Sequence, residues 1–124
     1  MRVSLDFEGR HNVVRAYGEG YVTVNADTRL ECAFVISPQR LITDTLPQRF
    51  EDLAAEHFEA LIELRPEVVL LGTGARQRFP HPRLTQALTA AGIAVEVMST
   101  DAACRTYNIV AAEGRNAVAL LLMI

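Results

Sequence analysis

The stretch Val68–Arg78, VVLLGTGARQR, is the one around which the other segments fall into place. Four apolar residues follow one another without polar alternation, the pattern of a strand covered on both faces. The turn Gly72-Thr73-Gly74 ends it and gathers polar groups and arginines at its C-terminal tip. A second stretch, Ile93–Arg115 (IAVEVMSTDAACRTYNIVAAEGR), repeats the plan of strand, polar loop and helix. In an open α/β sheet, ligands sit in the crevice outside the carboxyl ends of parallel strands, so two such tips side by side are expected to form one pocket.

Between these stretches, Pro82 suits a first helical position, and Leu84, Ala87, Leu88 and Ala91 share one face before Gly92 stops the helix. Ile93–Met98 then returns as a strand, giving a parallel crossover of ordinary length. Thr100 or Asp101 is placed to cap a helix over Ala102–Glu113, and Ala117–Met123 reads as a last apolar strand. Upstream, Phe50, Leu53, Ala54, His57, Phe58, Leu61 and Leu64 recur at three- and four-residue steps, which predicts one helix closed by Pro66. Asn12–Thr43 reads as short strands in antiparallel hairpins: Val13-Val14, Tyr21–Val24 and Leu30–Ile36. Period two puts Cys32, Phe34 and Ile36 on one face, so Cys32 is expected to face a core.

At 124 residues the chain is long enough for one domain with a proper core, taken as residues 1–124. Half the residues are apolar and the net charge is −3 with both signs interspersed, which argues against disorder and against a nucleic-acid partner. All 12 basic residues are arginine. Without lysine there is neither Schiff-base chemistry nor the phosphate-binding lysine of a P-loop. Two distant cysteines, Cys32 and Cys104, suit reduced thiols in a cytoplasmic setting. The opening MRVSLDFEGR lacks the apolar core of a signal peptide, and no apolar run approaches the roughly 20 residues of a membrane span. The scattered His11, His57 and His81 make no metal site.

Gly72-Thr73-Gly74-Ala75-Arg76-Gln77 has glutamine where the third glycine of a dinucleotide fingerprint belongs, and Pro80 and Pro82 push the helix start past the loop. No nucleotide cofactor is expected. Two readings of the turn remain: exposed N–H groups with Arg76 or Arg78 hold an anion, or small residues serve the backbone geometry while the arginines pair with acids. Glu96 lies mid-strand where neighbouring elements should cover it, so it needs an arginine partner or acts as a general acid or base. Cys104, next to Arg105 in the first turns of a helix, is either a small buried thiol or a nucleophile, with no histidine near it in sequence. Thr106, Asn108 and Glu113 either line the pocket or cap neighbouring loops.

With LLGTGARQRFP, VEVMSTDAACRTYNIVAAEGR and the closing strand in view, the chain resembles the domain of unknown function 498/598 family, the Mth-938-like domain. The resemblance implies an α/β fold: a mixed central sheet with helices packed on it and an extra small β layer from the N-terminal strands. Eukaryotic members act as assembly factor 3 of respiratory complex I, which implies protein association and no known catalytic residue to carry over. Gly72, Thr73, Gly74, Arg76, Glu96, Thr100, Cys104, Arg105, Thr106 and Asn108 are the candidate ligand- or partner-binding residues, to which the resemblance itself assigns no role. The leading expectation is a non-enzymatic binding or assembly module with a protein partner, its oligomeric state open. The alternative is a binder or enzyme for a small anionic metabolite, with Arg76 and Arg105 gripping it and Glu96 or Cys104 supplying chemistry.

Overall fold

The computed structural model describes residues 11–124, so the reading of residues 1–10 as free of a leader lies outside it. The expected N-terminal layer is a three-stranded antiparallel sheet: β1 (Val14–Gly18), β2 (Tyr21–Val24) and β3 (Thr28–Leu30). Gly20, at φ 79°, closes the first hairpin, and Asn25, at φ 58°, turns the second; asparagine is among the few residues that tolerate that left-handed region.

The main sheet has five strands among the described residues. They are β4 (Phe34–Ile36), β5 (Leu41–Thr43), β6 (Val68–Gly72), β7 (Ala94–Met98) and β8 (Ala117–Leu121), in the order β5-β4-β8-β6-β7. β6 is parallel to both β7 and β8, whereas β4 is antiparallel to β5 and β8, so the sheet is mixed. Every residue of β6 and β8 is buried. Leu70, Ala119, Leu121, Phe34 and Ile36 point to one face, where they meet Cys104, Tyr107 and the small sheet's Val22 and Val24. Val69, Leu71, Val118 and Leu120 point to the other, against Phe58, Leu61 and Leu88. Two-sided burial is why these strands are continuously apolar, each enclosed leucine contributing about 2 kcal/mol.

Among the described residues, three α-helices cover the sheet: α1 (Ala55–Glu59), α2 (Gln86–Ala90) and α3 (Thr100–Ala112). α1 and α2 lie on the second face, and α3 lies between the main sheet and β1.

Several expectations need correction. Leu30–Ile36 is not one strand: β3 and β4 belong to different sheets, and Glu31–Ala33 crosses between them. Cys32 is consequently exposed, because period two assigns faces only within an unbroken strand. The predicted Phe50–Leu64 helix is broken into a 3₁₀ turn at Phe50–Asp52, extended Leu53 and Ala54, then α1 and a 3₁₀ continuation over Ala60–Leu64. Its apolar residues still face inward, with Leu53, Phe58 and Leu61 buried. His57 is half-buried and accepts the Ala54 N–H on Nδ1 at 2.9 Å, which holds the start of α1. The helix over Pro82–Ala91 opens as a 3₁₀ turn, Pro82–Thr85, before α2. The α3 helix begins at Thr100 with Ser99 at its N-cap, because the Thr100 hydroxyl is engaged elsewhere.

Candidate functional site

β6 ends on glycine because nothing larger fits. A Cβ on Gly72 would lie 2.9 Å from Leu121 Cδ2 and 3.0 Å from the Thr100 Cα, so the strand passes directly beneath the start of α3. Gly74 follows at φ 98°, a backbone conformation that L side chains rarely adopt. These two residues bring three chain segments together, and hydrogen bonds then tie them.

The Gly74 N–H donates to Thr100 Oγ1 at 2.8 Å, and that hydroxyl donates onward to the Leu122 carbonyl at 2.6 Å. The Thr100 N–H donates to the Gly74 carbonyl, the Leu122 N–H to the Gly72 carbonyl, and the Thr73 N–H to the Met98 carbonyl. Thr73 Oγ1 donates to the Arg76 carbonyl at 2.6 Å and accepts from the Arg78 N–H at 3.1 Å. Gly72, Thr73, Gly74 and Thr100 thus form one buried knot joining the ends of β6, β7 and β8. The N–H groups of Thr73 and Gly74, on which an anion cradle would depend, already have partners within it. Negative charge at the start of α3 is supplied by Asp101, whose carboxylate accepts from Ser99 Oγ at 2.6 Å and lies 3.5 Å from Arg105. The Ser99 bond leads the causes that hold its pKa below the usual carboxylate range.

Arg76 stands apart from this closure. It is exposed, has no ion-pair partner among the described residues, and borders a cleft of about 330 Å³ with Gln48, Glu51, Gly74, Leu122 and Met123. Its neighbour Arg78 is held firmly: the guanidinium bonds Glu51 at 2.8 Å and lies 4.4 Å from the Phe50 ring centroid. The hydrogen bond from Arg78 lowers Glu51 to about 2. The Glu51–Arg78–Phe50 clamp was not legible in the sequence. Its members are brought together across 27 residues by a 3₁₀ turn that periodicity read as ordinary helix.

The other candidates are not at the tip. Cys104 is fully buried on the inner face of α3, and desolvation pushes its thiol up to about 12, which keeps it protonated at neutral pH. Arg105 donates to the Tyr17 hydroxyl at 2.8 Å and so ties α3 to β1. Asn108 completes β1: its Oδ1 accepts from the Val14 N–H at 2.9 Å and its Nδ2 donates to the Val14 carbonyl at 2.7 Å. Thr106 is half-buried on the same helix. Glu96 departs from expectation: β7 is an edge strand, and its carboxylate is exposed without an arginine partner among the described residues. No cluster of three His, Cys, Asp or Glu among the described residues could hold a metal ion, and no described helix is long and apolar enough to cross a membrane.

The chain is similar to several known proteins. Mouse NADH dehydrogenase [ubiquinone] 1 alpha subcomplex assembly factor 3 is 38% identical over 87 residues, covering 65% of this chain and 47% of that protein. A protein of Francisella tularensis named 13 kDa major membrane protein is 31% identical over 72 residues, covering 58% of each. The chain thus spans about half the length of the curated relatives it matches. A solution structure from Bordetella pertussis, described as a Mth938-like domain, superposes with a TM-score of 0.78 at 36% identity and covers 90% of this chain and 85% of that one. The model of the family described as Protein of unknown function (DUF498/DUF598) matches residues 14–122, and the chain belongs to that family.

Proposed function

We propose that this protein is a non-enzymatic association module that helps assemble a protein complex, and that the strand-tip end of its main sheet is one surface on which a partner docks. The observation that carries this reading is the contrast at the tip. The groups able to grip a small anion from within are bonded to one another, whereas Arg76 is left exposed over an open cleft. Exposed arginine without an ion-pair partner among the described residues, beside half-buried apolar Met123, suits a protein-binding patch. The kinship with complex I assembly factor 3 supports the same class of work. Burial of the Cys104 thiol weighs against covalent chemistry beneath α3.

Arg76→Ala is expected to reduce at least tenfold the recovery of a stoichiometric partner from the native cell, with the unfolding midpoint unchanged. Full recovery by the folded variant would remove the tip from the interface. The companion variant Arg105→Ala tests the flank of α3, where loss of the Tyr17 bond predicts a small stability change and retained recovery.

A further inference from the structure

The two edges of the main sheet are unequal. β5 is three residues long, whereas β7 presents five with no strand beside it among the described residues. The Met98 carbonyl faces β6, where it accepts from Thr73. Alternation then turns the N–H and C=O groups of Val95 and Val97 outward. The Gln77 side-chain amide reaches one of them, the Val97 carbonyl, at 2.8 Å. Apart from that carbonyl, the outward groups have no backbone partner among the described residues, and such an edge is a template for another strand.

Chemistry on either face of that edge is asymmetric. On one side, a cleft of about 460 Å³ lies between Ile93, Val95 and Val97 and the loop residues Phe79, Pro80 and Pro82. Phe79 is 72% exposed, the highest value among the described large apolar side chains. On the other side stands Glu96, mid-strand and exposed. A strand added here would place alternate side chains in the cleft and the one between them against the carboxylate.

We infer that the β7 edge receives an extended segment of a protein partner as a sixth strand. That segment carries arginine or lysine opposite Glu96, with apolar residues on either side entering the Phe79–Pro80 cleft. The inference rests on the association reading above and adds the partner's chemistry at a second surface. Charge decides against a second copy of this chain. Two-fold pairing of Val95 with the copy's Val97 would oppose two Glu96 carboxylates, while pairing Val95 or Val97 with its own counterpart would set Glu96 against Ala94 or Met98, with no cation in any register.

The test uses isotope-labelled protein and two synthetic peptides of about nine residues, alternating in pattern and differing only in a central arginine or glutamate flanked by valines. The arginine peptide is expected to shift the Val95–Val97 amide resonances, slow exchange of the Val95 and Val97 amide protons, and bind about fivefold more tightly than the glutamate peptide. Glu96→Lys should reverse that preference while the rest of the spectrum is unchanged. Equal binding of both peptides, or no binding of either at millimolar concentration, would overturn the proposal. So would concentration-dependent protection of β7 without peptide, which would assign the edge to a second copy. Shifts confined to the Arg76 cleft would also overturn it, while leaving the tip proposal standing.

Discussion

The end of β6 and the edge of β7 are neighbours in one sheet, and they use polar residues in opposite ways. At the end of β6, Thr73, Gly74 and Thr100 are buried and bonded to each other, to Met98 and to Leu122. Along β7, the Glu96 carboxylate and the outward backbone of Val95 face solvent. A glycine-rich turn looks functional in a sequence because glycine is what ligand-binding loops use, yet here it lets one segment of the chain pass close beneath another. A charge within a strand looks like a buried catalytic group, yet on an edge it is what keeps unwanted strands away.

The comparison breaks most readily at Thr100. Thr100→Val keeps the shape but leaves the buried Gly74 N–H and Leu122 carbonyl without this partner, so unfolding in urea should show a loss of about 3 kcal/mol at unchanged slope. Thr100→Ser, which retains the hydroxyl, should recover most of it. Next in size, Gly72→Ala forces a methyl against Leu121 and the Thr100 backbone, for a loss of about 2 kcal/mol in the same assay.

A smaller effect belongs to pH. With Arg78 bonded to it, Glu51 titrates near 2 instead of 4.5. A carboxylate depressed on folding stabilises fully above its ordinary value and ceases to do so as pH falls through its folded value. Acid titration should therefore loosen the Arg78 loop between about pH 4.5 and 2, and Arg78→Ala should abolish that step; because Glu51 is exposed, salt should also weaken it. Smallest of all, Glu96→Gln should change stability by less than about 0.5 kcal/mol, since no described group pairs with the carboxylate. A loss comparable with that of Thr100→Val would mean that the edge is not open.

Legibility followed the range of the interactions. The strands Val68–Gly72 and Tyr21–Val24 and the apolar faces of Phe58, Leu61 and Leu88 were readable because burial and strand preference act on neighbouring residues. The break after Leu30 was not, because β-branched and aromatic residues suit either sheet and nothing local says which one a strand joins. Of the candidate residues, those in the turn do converge, but Arg105 and Asn108 bind β1 instead, across 88 and 94 residues. No spacing rule spans such distances.

By itself, then, the sequence determined an α/β chain with a doubly buried central strand, a glycine turn at its end and a long helix following the next strand. Tertiary structure alone decided that the last strand, β8, inserts between β4 and β6, which moves β7 to the edge and exposes Glu96. The reason is that strand order is set by the joint packing of both sheet faces against α1, α2 and α3, a property of the whole core.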